Sequence, residues 1–494
     1  MLRRIRTIIA TVVFVLIMAL FLDITGVLHR WLGFLAGIQL LPAILAVNVG
    51  AIAFVLLLTL VFGRIYCSVI CPLGIYQDGV AHLSHLRKKH RYAYSPEHKW
   101  ARYIVLAIVV LCFVIGLQVV VALLDPYGIF GRFVQNYLSP VYIFGNNLLA
   151  LICQHFDSYA FYGREVWIRS LPTFIIAGVM IVIVTAHAWR GGRAYCNTIC
   201  PVGTFLGLFS RFSLFKVKID TDRCVSCGLC ARNCKSSCID FKNRKIDYSR
   251  CVVCGDCIGK CSKSAMSYGL SLPLRASKGT SSPKSDAGRR AFVLGALMAG
   301  GSAAYAQGRK KVDGGLAAVS DKTAPKRAVP ITPPGSLSAK NMASHCTACQ
   351  LCVAACPNGV LRPSTAPGTF MQPTSSYERG YCRPECNRCS QVCPAGAIRP
   401  VSVEQKTSIQ IGHAVWVSGN CLPFAEGVSC GNCARHCPVG AIRMVRVNAD
   451  DESSPRVPSV DTERCIGCGA CEYHCPARPF SAIYVEGNEI HREV

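Results

Sequence analysis

Apolar residues are spread along this chain in two ways. Up to about residue 200 they come in long runs; beyond residue 220 they come in short pieces cut by Cys, Gly and Pro. The long runs cover 7–28, 41–62, 102–124 and 171–189, each near the ~20 residues that a helix needs to cross a bilayer core. They predict four membrane helices arranged as two hairpins. The first run is too long for a cleaved signal peptide and lacks a small-residue cleavage site. It carries one acid, Asp23, and follows Arg3, Arg4 and Arg6, so its start is expected in the cytoplasm. The 63–102 loop holds Arg64, Arg87, Lys88, Lys89, Arg91, Lys99 and Arg102, the 125–170 loop only Arg132, Arg164 and Arg169. That asymmetry puts the first loop inside and the second outside. An apolar piece at 141–152 reads as interfacial or re-entrant. In the second half, short alternating stretches such as 442–447 predict small strands.

Composition narrows the class. Of 494 residues, 31 are cysteine and 51% are hydrophobic, which together point to a membrane protein carrying redox cofactors. The formal charge of +26 overstates the real one, because cluster-bound cysteines are thiolates and basic residues crowd membrane-flanking loops. No aromatic–basic interleaving of the kind that binds single strands is present, and no nucleic-acid partner is expected. Neither a dinucleotide-binding fingerprint nor a phosphate loop is evident.

The cysteines carry the chemistry. Cys346, Cys349, Cys352 and Cys356 precede Pro357, and Cys465, Cys468, Cys471 and Cys475 precede Pro476. Both have the C-x-x-C-x-x-C-x-x-x-C-P spacing of bacterial ferredoxins, in which three thiolates hold one 4Fe–4S cluster and the fourth ligates its neighbour. The sets Cys382, Cys386, Cys389, Cys393 and Cys421, Cys430, Cys433, Cys437 are less regular. Upstream, Cys224, Cys227, Cys230, Cys234 and Cys251, Cys254, Cys257, Cys261 form a two-cluster module, with the first triplet expected to pair with Cys261 and the second with Cys234. There Lys235 and Ser262 replace the usual proline, and Cys238 is a rival ligand to Cys234. Disulfides suit small secreted frameworks and zinc suits two separated C-x-x-C pairs; neither explains repeated triplets. Six 4Fe–4S clusters are expected.

An internal repeat marks the ends of the second and fourth runs. Gly63 to Gly74 and Gly192 to Gly203 share the pattern G-R-x-Y-C-x-x-x-C-P-x-G. Its thiols, Cys67, Cys71, Cys196 and Cys200, would meet at the cytoplasmic surface as a redox or metal site, holding a further cluster or Cu(I), or else would be two plain cysteine pairs. Cys112 and Cys153 read as small buried residues. His29, His82, His85, His90 and His187 offer no pair at matched depth for haem.

A Ser-, Lys- and Gly-rich linker from 271 leads to Arg289-Arg290-Ala291-Phe292 and a small-residue apolar run ending Ala304-Tyr305-Ala306. This reads as a twin-arginine export signal, or a short fifth helix. The expected domains are therefore 1–215, the helical membrane domain with both C-x-x-x-C-P motifs; 216–270, a cytoplasmic two-cluster ferredoxin; 271–306, linker and signal; 307–344, a second linker; and 345–494, an exported four-cluster ferredoxin. The fold class is an α-helical membrane domain plus two α+β ferredoxin-like domains.

Residues 1–270 resemble the NapH family, a membrane iron–sulfur quinol dehydrogenase component, on the four runs, the two C-x-x-x-C-P strings and the trailing ferredoxin. Residues from about 289 to 485 resemble the NapG family on the twin arginines, Pro333-Pro334-Gly335 and the four motifs. The resemblance implies a fusion in the cytoplasmic membrane that takes electrons from quinol, through clusters, to a periplasmic reductase or cytochrome. It also implies that outer motifs pair with outer and inner with inner: Cys346, Cys349, Cys352 with Cys475; Cys465, Cys468, Cys471 with Cys356; Cys382, Cys386, Cys389 with Cys437; and Cys421, Cys430, Cys433 with Cys393. The core is similar also to the CcoG and NosR families, which implies the rival reading of a copper-handling maturation factor. One question stays open at this level: a bilayer core of ~30 Å separates the two ferredoxin domains.

Overall fold

Glycine and proline decide where the long apolar runs become helices. The computed structural model describes residues 2–23, 26–87, 92–158, 161–271 and 326–493. The first run forms the helix Leu2–Leu22 and the fourth Leu171–Gly191, and these two are long and apolar enough to cross a membrane. The other two expected spans are interrupted. The second is split into Leu40–Leu45 and Val49–Phe62, with Asn48 capping the latter through Ala51 N. The third becomes Lys99–Ile115 and Gln118–Leu124, broken at Gly116, whose φ of 86° ends the first piece. The apolar piece at 141–152 lies inside a full helix, Ser139–His155. Of the four expected spans, two are thus single long helices and two are built from shorter pieces.

At the centre is a helix that the hydrophobic pattern did not single out, Pro126–Phe133. Asp125 caps it through Tyr127 N and Gly128 N, Pro126 opens it, and residues 126–132 are all buried. It runs on into a π-helical turn, Val134–Leu138.

Each C-x-x-x-C-P string makes a short helix, a break at the second cysteine and a new helix. Tyr66–Val69 is followed by Pro72–Arg87, and Ala194–Thr198 by Pro201–Ser210. The break follows from proline: it forces the preceding Cys200 out of the α region (φ −64°, ψ 118°) and then serves as first residue of the next helix.

Two cysteine-rich units flank the helical domain. The first closes with the antiparallel pair Phe215–Ile219 and Met266–Leu270. The second contains two hairpins, Leu361–Pro363 with Pro373–Ser375 and Ile442–Arg446 with Arg456–Val460, and is tied together by Ile409–Trp416 paired with Ile483–Glu493. The twin-arginine stretch and residues 307–325 of the second linker lie outside the described residues.

Candidate iron–sulfur sites

Four triplets share one local geometry. In Cys224–Cys230, Cys251–Cys257, Cys346–Cys352 and Cys465–Cys471, the residues on either side of the middle cysteine have positive φ: Ser226 and Gly228, Val253 and Gly255, Ala348 and Gln350, Gly467 and Gly469. Two left-handed residues around one cysteine curl the backbone so that three thiols face one point. Glycine takes the second of these positions in three triplets, as the conformation favours. In the third, Gln350 takes it at φ 66°, a strained choice for a residue with a side chain.

The thiols group in fours. Cys224, Cys227 and Cys230 line one cavity with Cys261. Cys251, Cys254 and Cys257 line a second with Cys234 and Cys238; Cys234 and Cys238 are 3.5 Å apart, so the extra thiol sits at this site. Its hydrogen bond from Cys238 pulls the Cys234 thiol down to about 7. In the first unit the first triplet thus shares a cavity with Cys261 and the second with Cys234 and Cys238.

The second unit departs from it. Cys393, not Cys475, stands beside Cys346, Cys349 and Cys352. Cys356 stands beside Cys382 and Cys389. Cys475 lines a cavity with Cys421, Cys430 and Cys433, and Cys437 lies beside Cys465, Cys468 and Cys471. Neighbouring motifs pair with each other because a hairpin folds each pair back on itself, as a separate two-site repeat. The repeats meet where Cys382 N donates to Cys468 O (2.9 Å) and Tyr377 OH to Gly467 O (2.6 Å).

These sets fit 4Fe–4S clusters. The donors are all sulfur, and backbone N–H groups donate to Cys261 (3.3 Å), Cys346 (3.3 Å), Cys437 (3.2 Å) and Cys475 (3.3 Å), the kind of contact that tunes cluster potential. Burial pushes the thiols of Cys254, Cys349 and Cys468 up to about 12 and that of Cys433 to about 11, so iron binding must displace their protons. Among the described residues no three His, Cys, Asp or Glu side chains are grouped as ligands of a single metal ion.

The C-x-x-x-C-P thiols do come together. Cys67, Cys71, Cys196 and Cys200 are all buried and lie within electrostatic reach of one another. The two strings embrace through swapped arginines. Arg193 Nη1 donates to Cys67 O (2.5 Å), and Arg64 Nη2 donates to Cys196 O (3.3 Å). Gly74 and Gly203 leave room for them; a Cβ at either would strike the same carbonyl and the same guanidinium. Arg64 and Arg193 are fully buried. Arg193 also pairs with Asp78 (2.7 Å), which holds Arg6 (2.9 Å) and Lys235 (3.0 Å). Lys235, the departure from the usual Cys-Pro, thereby keys the first unit to the hairpins, and its carbonyl accepts from Arg193 N (2.8 Å). Cys112 and Cys153, expected to be buried, are half-exposed on helices Lys99–Ile115 and Ser139–His155.

Helix Pro126–Phe133 links this thiol group to the second unit. Ile129 packs in one buried cluster with Cys67, Cys71, Cys200 and Cys254 of the first unit. Tyr127 and Phe130 pack in another with Cys346, Cys349 and Cys352. Three thiol sets therefore follow one another through continuous packing. On the second-unit side, Arg132 donates to Ala348 O (3.3 Å) and Asn136 to Gln350 Oε1 (3.0 Å). Cysteine spacing does not expose Asp78, Tyr127, Gln135 or Asn136. Gln350 is legible once the four triplets are aligned, as the one without glycine.

Comparison with known proteins agrees with this geometry. A 4Fe–4S binding domain matches residues 44–91 and again 171–220, once over each C-x-x-x-C-P string. A 4Fe–4S dicluster domain matches 345–398, over two neighbouring motifs, and another 428–478, over the next two apart from Cys421; a third match, 247–360, spans the last motif of the first unit and the first of the second. An uncharacterised protein of Methanocaldococcus jannaschii is 26% identical over 43% of this chain and 65% of its own length. The methylamine utilization ferredoxin-type protein MauN of Paracoccus denitrificans is 28% identical over 38% and 53%, and the putative electron transport protein YccM of Escherichia coli 25% over 40% and 48%. The aligned stretches thus span about half to two thirds of these relatives. No solved structure matches. With its thiol sets, its repeated 4Fe–4S domains and relatives named as ferredoxin-type and electron transport proteins, the chain is a multi-domain 4Fe–4S electron-transfer protein.

Proposed function

We propose that this protein oxidises quinol in the cytoplasmic membrane and passes the electrons through 4Fe–4S clusters to a periplasmic reductase. The first cysteine-rich unit is cytoplasmic and the second is exported. The C-x-x-x-C-P thiols hold a seventh centre between them. The observation that carries this reading is the buried helix Pro126–Phe133, which packs on Cys71 and Cys200 with one residue and on the Cys346 set with the next. It answers the difficulty that a bilayer separates the two ferredoxin units: relay sites inside the helical domain divide the distance. A belt of exposed apolar side chains supports the membrane setting. It includes Leu57, Leu111, Val114, Phe144, Leu151 and Val182, each more than half exposed.

Bound clusters supply one-electron carriage; the chain supplies position and electrostatics. Arg64 and Arg193 place two buried positive charges against the C-x-x-x-C-P segment. Within the second unit the order of contact runs from the Cys346 set to the Cys382 set, then the Cys465 set and the Cys421 set. The last is bordered by Phe424 and Val428, about half exposed, a surface suited to a docking reductase.

The test is anaerobic reduction of the oxidised, purified protein by a menaquinol analogue, followed by Fe–S absorbance and EPR. Bleaching is expected. Failure of quinol to bleach any cluster that dithionite reduces would refute quinol as donor.

A further inference from the structure

We propose that a cavity beside Gln350 binds the quinone headgroup, at the external end of the helical domain and directly against the Cys346 set. This rests on the reading of quinol as donor and gives it a place. The cavity measures about 360 Å³ and is lined by Gln135, Asn136, Tyr137, Trp167, Phe174 and Gln350, among others.

Three independent features mark it as built for a ligand. The first is an orphaned donor and an orphaned acceptor. Gln135 and Gln350 are 7% and 2% exposed, yet Gln135 Oε1 and Gln350 Nε2 have no hydrogen-bond partner. Buried polar groups are costly to leave so. Asn136 Nδ2 holds Gln350 Oε1 at 3.0 Å, which leaves the amide NH₂ of Gln350 to donate. A hydroquinone hydroxyl can donate to Gln135 Oε1, and a ring oxygen can accept from Gln350 Nε2.

The second is backbone strain. Gln350 occupies the left-handed position that glycine takes in the other three regular triplets, and the fragment Val134–Leu138 opposite it is a π-helical turn, a feature common at functional sites. Both sides of the cavity are thus irregular where they meet.

The third is the shape and chemistry of the walls. Tyr137 stacks on Phe174 with ring centroids 4.4 Å apart. The Trp167 ring is held from the second unit by Arg362 and Arg379, 4.6 and 4.8 Å from its centroid. Flat aromatic walls suit a planar ring. At the rim, Val166 and Ile168 are 50% and 58% exposed, an apolar edge over which a polyprenyl tail would lie.

The step balances. Oxidation of the bound hydroquinone breaks its two O–H bonds. Two electrons pass singly to two oxidised clusters of the second unit. Two protons leave to the external solvent past Glu165, a carboxylate at the rim that is paired with Arg379 at 3.0 Å. A larger cavity of about 680 Å³, between Leu2–Leu22 and Pro72–Arg87, faces the first unit instead. Its central charges, Arg6, Asp78 and Lys235, are already paired with one another.

The experiment uses the full chain, loaded with clusters, and an azido-menaquinone analogue as photolabel, with mass spectrometric mapping of the adduct. Binding of the unlabelled analogue is titrated alongside, in the wild type, Gln350→Gly and Gln135→Leu. Gln350→Gly relieves the strained backbone, so loss of binding in it is not loss of fold, and dithionite-reducible absorbance checks cluster content. Adducts within 134–143 or 165–174, and at least tenfold weaker binding in both variants at unchanged cluster content, are expected. Adducts within 75–85, or unaltered binding in both variants, while menaquinol still bleaches the wild type, would overturn this site and leave quinol oxidation standing. No bleaching of the wild type by menaquinol would overturn both.

Discussion

Single residues hold the two C-x-x-x-C-P strings together, and they do so across long sequence separations. Arg64 reaches Asn197 Oδ1 at 3.0 Å and Ser249 O at 2.8 Å; Arg193 reaches back to Cys67 and Asp78. The repeat of G-R-x-Y-C-x-x-x-C-P-x-G was legible in the sequence, but the swap was not, because nothing local tells an arginine which of two equal partners to choose. Breaking a buried charge pair costs about 3–5 kcal/mol. Arg193→Met removes one of the three cations on Asp78 and is expected to destabilise the purified protein by less than that, read as a lowered thermal midpoint. Gly203→Ala is expected to disrupt the matching contact of Arg64 with Cys196 O, read as lost Fe–S absorbance. A third residue gives a pH dependence. His491 Nε2 sits 3.0 Å from Thr332 Oγ1, Nδ1 has no partner, and burial lowers its pKa from 6.5 to about 4. The folded second unit therefore resists a proton that the unfolded chain accepts. The contribution is full above about pH 6.5 and is lost as pH falls to about 4. Melting curves over this window should show the midpoint falling with pH, and His491→Phe should flatten the dependence.

At the level of elements, cysteine spacing specified which three thiols share a corner but not which fourth thiol completes the set. The fourth depends on which motifs lie together in space. Two hairpins, Leu361–Ser375 and Ile442–Val460 in extent, decide that for the second unit, and the outer-with-outer pairing implied by family resemblance gives way to pairing of neighbours. Cys393→Ser and Cys475→Ser separate the two arrangements. The first is expected to alter the EPR signal of the set nearest the helical domain, the second that of the most remote set, the one beside Phe424. If Cys475→Ser perturbed the Cys346 set instead, the neighbour pairing would be wrong. The long apolar runs were legible as helices, yet their breaks were not: Gly116 ends one helix, and Asn48 starts another in mid-run. The short helix Pro126–Phe133 escaped because its eight residues include two glycines and an arginine, a composition that reads as loop until the burial of residues 126–132 is seen.

For the whole molecule, the two cysteine-rich units sit on different ends of one helical domain and are joined through its interior. The first unit contacts the C-x-x-x-C-P end through Lys235 and Ser249; the second contacts Phe21, Arg132 and Asn136. Sequence placed these units in separate compartments and left the gap between them unexplained. Tyr127 lies on the helix Pro126–Phe133 that packs toward both units. Its hydroxyl is buried without a hydrogen-bond partner, and its ring lies in the same buried cluster as Cys346 and Cys349, two residues before Ile129 at the C-x-x-x-C-P thiols. Under the proposed function this line carries electrons from end to end. The most direct test places the protein in sealed liposomes with the first unit facing outward, adds membrane-impermeant titanium(III) citrate outside, and follows reduction of the enclosed second-unit clusters by EPR. The account expects those clusters to be reduced in the wild type, and only the first-unit clusters in Cys67→Ser and Cys196→Ser. Equal reduction of the second unit in the variants, or none in the wild type, would contradict it.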